Sequence, residues 1–385
     1  MLALPPLALA VAKPADPRES RLADRLLVLV ELKGGNDGLN TLVPYADPAY
    51  LALRPRIGIR RDAVLPLDER RGLHPALEPL MPLWQARELA IIEGVGYPAP
   101  NLSHFRSIEI WDTAADSDEY LYEGWLARAF KNTPAPANFV ADAALLGSQD
   151  MGPLSGDDRI VVLADPEQFA RQARVLDVPG DNSETVGALA NPALAHILQV
   201  EAEARDAARK IGADGTAFVF ATAFPGGPFG DAIKHACAVL GRGQRVAALR
   251  LTLNGFDTHQ NQPGTHANQL KQLAEGLTAL RGALRELDLW RHTLILTYAE
   301  FGRRPRENQS NGTDHGTASV HFALGGAVRG GFHGASPDLA RLDGTGNPRF
   351  TTDYRSLYAT ALARWWRIDE RAVLGRRFPL LDFVA

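Results

Sequence analysis

One cysteine, Cys237, is all that the 385 residues contain, which excludes an intramolecular disulfide and a thiolate-bound metal cluster. Any metal must therefore rest on imidazole and carboxylate groups. Cys237 lies in a helical stretch with no neighbouring base, so it reads as a small buried apolar residue rather than a nucleophile. An excess of basic charge is also missing: 41 Lys and Arg against 45 Asp and Glu leave a formal net charge of −4. No positive field is available for nucleic acid or an anionic surface, and no nucleic-acid partner is expected. There is no internal repeat and no Gly or Pro tract, although 35 Gly and 26 Pro are spread along the chain, as in a loop-rich α/β protein.

A long hydrophobic run is absent too. The apolar start, residues 2–12, is too short to span a bilayer, and no stable membrane insertion is expected. Its small residues end near an Ala-x-Ala-like site at Ala10 to Ala12, as a signal peptide does, but no basic region or twin arginine precedes them. Residues 1–20 are read as a signal-peptide remnant and linker. A periplasmic or exported location is expected if the true start lies upstream, and a cytoplasmic one if Met1 is the start. Residues 21–385 are read as a single α/β domain with a middle insertion near 132–191.

The domain begins with a continuous apolar run, Leu26 to Leu32, followed by a glycine turn carrying Asp37. A strand buried on both faces that ends in such a turn presents a ligand at its C-terminal end. A helical spacing over Leu73 to Arg87 leads to a second apolar strand, Leu89 to Val95. Beyond it, Asn101 or Ser103 is placed to cap a helix containing Phe105, Ile108 and Trp111. Further on, the strand Arg245 to Leu253 ends in Asp257 and His259. The leucines 270, 273, 277, 280, 284 and 287 mark an amphipathic helix, which returns the chain to the strand Thr293 to Tyr298 and then Glu300. Asp314 and His315 sit between Gly312 and Gly316 ahead of a strand over His321 to Gly326. Alternation of this kind predicts a three-layer α/β/α fold with a mostly parallel central sheet.

Each of these polar residues lies near the end of a strand, where open α/β sheets converge on a crevice. Asp257 and His259 share a side if extended and could meet one cation. The blander reading is a helix cap and a surface histidine. Asp37 is a ligand or an ordinary turn carboxylate, and Asp314 with His315 a metal pair or a loop dipeptide. Ser103 is a nucleophile or only an N-cap, Arg106 an oxyanion partner or a surface arginine, and Glu300 a ligand, a base or a partner of Arg303. This donor set suits zinc or manganese, with magnesium or calcium where oxygen dominates.

Gly34-Gly-Asn-Asp-Gly-Leu-Asn40, Gly96-Tyr-Pro-Ala-Pro-Asn-Leu-Ser-His-Phe105, Gly255-Phe-Asp-Thr-His259, Ala299-Glu-Phe-Gly-Arg303 and Gly312-Thr-Asp-His-Gly316 occur in this order. Together they resemble the bacterial family named domain of unknown function 1501, over about Arg25 to Trp366. That family commonly carries a twin-arginine export signal, which implies a cell-envelope location. It is in turn similar to the alkaline phosphatase and sulfatase superfamily, so the resemblance implies an alkaline-phosphatase-like fold. It implies Asp37, Asp257, His259, Asp314 and His315 as metal ligands, with Ser103 as nucleophile and Arg106 and Glu300 in support. Two alignments compete: in one Asp314 and His315 are the metal pair, in the other Glu300 takes the aspartate's place and His315 is the last ligand. The activity implied is metal-dependent hydrolysis of small-molecule or polymer-borne phosphate or sulfate esters. The alternative is a non-catalytic exported protein that keeps the fold as a binding or structural module.

Overall fold

The run expected as a buried strand, Leu26–Lys33, lies at the middle of the central sheet in the computed structural model, which describes residues 22–157, 159–163 and 218–384. In chain order the sheet is built from β1 (Leu26–Lys33), β2 (Leu89–Gly96), β3 (Ala143–Leu146), β4 (Ile160–Val162), β5 (Ala248–Asn254), β6 (Thr293–Tyr298), β7 (Ser319–Leu324), β8 (Gly331–Gly334) and β9 (Thr352–Asp353). In space the order is β8-β2-β7-β6-β1-β5-β3-β4, with β9 also beside β2. Only β7 runs against the others. The link from β6 to β7 contains no helix to carry a parallel crossover, so β7 returns antiparallel. Asp314 and His315, just ahead of β7, therefore reach the same sheet edge as the C-terminal ends of β1, β5 and β6.

The main helices are α1 (His104–Thr113), α2 (Trp125–Asn132), α3 (Pro228–Gly241), α4 (Gln262–Glu286) and α5 (Arg355–Thr360). Alternate residues of β1 feed two cores. Val28, Val30 and Leu32 pack with Ile233 of α3 and Leu270, Leu273 and Leu277 of α4, while Leu27 and Leu29 face Trp111, Trp125 and Tyr358. This is the expected three-layer arrangement. At about 1.5–3 kcal/mol for each large side chain fully buried, these two layers hold the strand ends in place. Cys237 is buried in α3, where burial pushes its thiol up to about 12, too high for a nucleophile.

Within the expected insertion, the described residues supply β3 and β4, which extend the central sheet at one edge. Residues 158 and 164–191 of it lie outside the described residues, as do residues 192–211, whose periodicity predicts a helix, and the expected signal remnant and linker at 1–20. Among the described residues, no helix is long and apolar enough to cross a membrane.

Candidate metal centre

Gly34 leaves β1 with φ +114, and a Cβ there would lie 2.4 Å from the Asp257 nitrogen. Only glycine lets the end of β1 approach the loop after β5 so closely. Into the same space come His104 at the start of α1, Glu300 and Arg303 after β6, and His315 ahead of β7. The Asp257 carboxylate is the hub: Oδ1 lies 3.1 Å from His259 Nε2 and 3.3 Å from His315 Nε2, and Oδ2 lies 3.4 Å from His104 Nε2. His104, Asp257 and His315 each offer one ligand atom, all within 4.8 Å of one another.

The outer nitrogens of these imidazoles assign their tautomers. His315 Nδ1 donates to the Leu102 carbonyl at 2.8 Å, and His104 Nδ1 donates to Glu300 Oε1 at 2.8 Å. His259 Nδ1 faces Asp314 Oδ1 at 3.3 Å. With each Nδ1–H committed outward, the Nε2 lone pairs turn inward, which is how histidine ligands are usually oriented. His259 Nε2 and His315 Nε2 stand only 2.9 Å apart. Two lone pairs at that distance repel unless a cation, a proton or a metal, lies between or beside them. Glu300 also accepts from the Gly34 N–H at 2.9 Å, while its buried Oε2 has no partner. The arrangement thus fits a divalent cation held by nitrogen and carboxylate donors, with part of the cluster open to solvent for a further ligand.

Charge reinforces the geometry. Arg303 is fully buried and donates to the carbonyls of Gly34, Gly35, Phe256 and Thr313 as well as to Asp257 Oδ1, the last at 2.7 Å. Burial works to raise the Asp257 carboxyl, but the Arg303 bond and charge, with His259 and His104, hold it below the usual carboxylate range. The Glu300 hydrogen bond and charge lift His104, against the cost of burial. His315 is pulled down by burial first, and the nearby Arg303 and His104 add to that. The Phe301 ring packs on His315 with centroids 4.4 Å apart and an interplanar angle of 30°, which gives the cluster an apolar wall.

Asp257 and His259 are therefore brought together as their spacing suggests, His315 meets them, and His104, which stands beside Ser103 among the polar residues of the sequence but is given no role there, joins them. Asp314 and Glu300 touch the outer nitrogens of His259 and His104. Ser103 sits at the N-cap of α1, exposed, and its hydroxyl makes no capping bond. Arg106 turns away: it bonds the carbonyls of Ser117 and Glu119, and its guanidinium lies 3.8 Å from the centroid of the Tyr120 ring. A role for Arg106 on an oxyanion at this cluster is not what these contacts serve.

Asp37 is elsewhere. Its buried carboxylate accepts from Leu39 N at 3.2 Å, from Arg54 Nη1 at 2.6 Å and from Gln262 Nε2. Arg54 and Asp37 are both fully buried, so removing one leaves the other charge uncompensated. Arg54→Met is expected to cost about 3–5 kcal/mol of stability in a denaturant titration, and an unchanged midpoint would contradict the pairing.

A family model described as "Protein of unknown function (DUF1501)" matches residues 78–376. No curated protein matches the chain in sequence. In structure the chain is similar to the lipoteichoic acid synthase LtaP from Listeria monocytogenes, at 10% identity and a TM-score of 0.41 over 93% of this chain and 75% of that one. It is also similar to the phosphonate monoester hydrolase of Agrobacterium radiobacter, at 8% identity and a TM-score of 0.39 over 92% of this chain and 78% of that one. A third likeness is to the PsFucS1 sulfatase from Pseudoalteromonas sp., at 10% identity and a TM-score of 0.37 over 92% and 73%.

Proposed function

The chain belongs to the DUF1501 family, and from that premise we propose that it is a metal-dependent hydrolase of phosphate or sulfate esters acting in the cell envelope. The observation that carries the reading is the pair of inward-facing Nε2 atoms of His259 and His315, 2.9 Å apart beside the Asp257 carboxylate. Asp257, His259, His315 and His104 would hold the cation, a set that suits zinc or manganese better than an all-oxygen preference does. When bound, the cation supplies Lewis-acid charge to a phosphoryl or sulfuryl oxygen. Placement in the envelope rests on the signal-like residues 2–12.

The chain's own groups account for the rest. Ser103 lies between Leu102, whose carbonyl holds His315, and His104, whose ring touches Asp257 and Glu300. Its hydroxyl is free of any capping bond and stands at the N-terminus of α1, where the helix dipole favours a developing alkoxide. Glu300 fixes the His104 ring and Asp314 the His259 ring, so the inward nitrogens keep one orientation. The non-catalytic alternative is favoured by one contact: Arg106 is spent on backbone carbonyls rather than left for substrate charge.

Protein purified without chelator, analysed for metal and then assayed on aryl phosphate, phosphodiester and sulfate esters, separates the two. The expected result is near-stoichiometric zinc or manganese with turnover, and Ser103→Ala should keep the metal while losing about 10³-fold or more in rate. Bound metal with no turnover on any ester class would replace the hydrolase with the binding module.

A further inference from the structure

Gln262 is fully buried at the first turn of α4, and its amide touches three other side chains. Nε2 donates to Asp37 Oδ2, which fixes the amide's orientation, because an ionised carboxylate only accepts. Oε1 must then face the other way. There it accepts from Thr258 Oγ1 at 3.1 Å and Thr313 Oγ1 at 2.6 Å. Thr258 stands between Asp257 and His259, and Thr313 immediately precedes Asp314 and His315. One buried amide thus joins the two loops that carry three of the four groups around the cation site.

The far end of this connection is equally fixed. Burial would raise the Asp37 carboxyl, but the Arg54 charge and hydrogen bond, with His266 and Gln262, outweigh it and keep it ionised. Arg54 is itself held by the carbonyls of Pro305 at 2.8 Å and Arg304 at 3.0 Å and by Asn40 Oδ1 at 2.7 Å. Between the loops, the Thr313 N–H also donates to the Thr258 carbonyl at 3.2 Å, so the two threonines are in register. No solvent reaches Asp37, Gln262 or Thr313.

We propose that Gln262, anchored by Asp37, is a positioning residue for the cation site: its amide sets the spacing of the loop bearing Asp257 and His259 against the loop bearing His315. The proposal rests on the metal-site reading above. It assigns Asp37 to the support of the ligand loops, at one remove from the cation.

The test is a cobalt(II) titration of the full chain after chelator treatment, read by visible absorption, which reports both affinity and coordination geometry. Gln262→Met keeps the volume but neither hydrogen-bonding end, and it should weaken cobalt binding about 10–100-fold and alter the absorption bands. Gln262→Glu alone sets two carboxylates against each other and should do at least as much damage. Thr313→Val removes a single hydroxyl, leaves the fold least disturbed, and should weaken cobalt several-fold. Parent-like affinity and spectrum in Gln262→Met or Thr313→Val would overturn the proposal. A parent chain that binds no cobalt would defeat the metal-site reading itself, a different outcome from any of these.

Discussion

Exchange of Asp257 for asparagine is expected to remove the bound cation and the turnover together, while the chain remains folded. Asp257 is the one carboxylate within 3.4 Å of all three inward-facing imidazole nitrogens, Oδ1 serving two and Oδ2 the third. Loss of a group that only orients a ligand costs about 10–100-fold in metal affinity. Loss of the central charged donor should exceed that range. Asparagine still offers an acceptor to Arg303, and four backbone carbonyls continue to hold that guanidinium, so the fold should lose little. Asp314→Asn makes the internal comparison, since of the cluster's imidazoles Asp314 reaches the outer nitrogen of His259 alone, and the variant should fall within the range for an orienting group. Metal analysis after dialysis and calorimetric titration check both variants. Equal affinities for Asp257→Asn and the parent chain would place the cation elsewhere or nowhere.

The contrast between Asp257 and Asp37 marks where the sequence becomes silent. Asp257 and His259 are two apart in an extended loop after a buried strand, so their common side can be read from spacing alone. His315 and Asp314 are adjacent, and an extended backbone sends neighbours to opposite sides. Arg303 and His315 form a β-bridge, and His315 turns inward while Asp314 lies about half exposed on the outer flank of His259. The two competing alignments thus meet in the structure: His315 is at the centre, and Glu300 and Asp314 are each one imidazole removed from it.

Asp37 carries the same local signal as a ligand, a carboxylate in a glycine turn after the first strand. What decides its surroundings is Arg54, from a Leu-Arg-Pro-Arg stretch that reads as surface charge, together with Gln262 from a helix more than two hundred residues away. Neither burial is visible in one dimension. His104 stands beside Ser103 in the sequence but takes no role there for a related reason, because a hydroxyl at a helix start has an evident role as cap or nucleophile and the next residue has none until β5 and β6 are placed beside it. The fold was more legible than the site, since the leucine spacing of α4 and the apolar run of β1 are local properties. Leu270, Leu273, Leu277, Leu280 and Leu284 are all buried, and only Leu287, just past the end of α4, is partly exposed.

Lowering the pH from 7 to 5 is expected to cost the metal-free chain about 6 kcal/mol of stability through three histidines outside the cluster. Burial pushes His74 down to about 4, His266 to about 3 and His321 to about 3, from an ordinary value of 6.5. In the unfolded chain each takes up a proton near pH 6.5, while the folded chain refuses it until far lower pH. The folded state is therefore undisturbed above about pH 6.5 and loses about 1.4 kcal/mol per pH unit per histidine below it, until the folded values are reached. At pH 5 that is about 2 kcal/mol each, a large share of the about 5–15 kcal/mol that holds a typical protein folded. Denaturant titrations in chelator at pH 7, 6 and 5 should show the midpoint falling steeply. His321→Phe isolates one contributor: the ring lies against Trp111, its Nε2 has no partner and its Nδ1 is 3.5 Å from Thr297 Oγ1, so phenylalanine replaces it with little else lost. About a third of the pH slope should disappear in that variant. A pH slope that His321→Phe leaves unchanged would mean that this imidazole is solvated or paired with acid in the folded chain. Working in chelator keeps competition between metal and protons out of the measurement, while His104, shifted up rather than down, still contributes with the opposite sign.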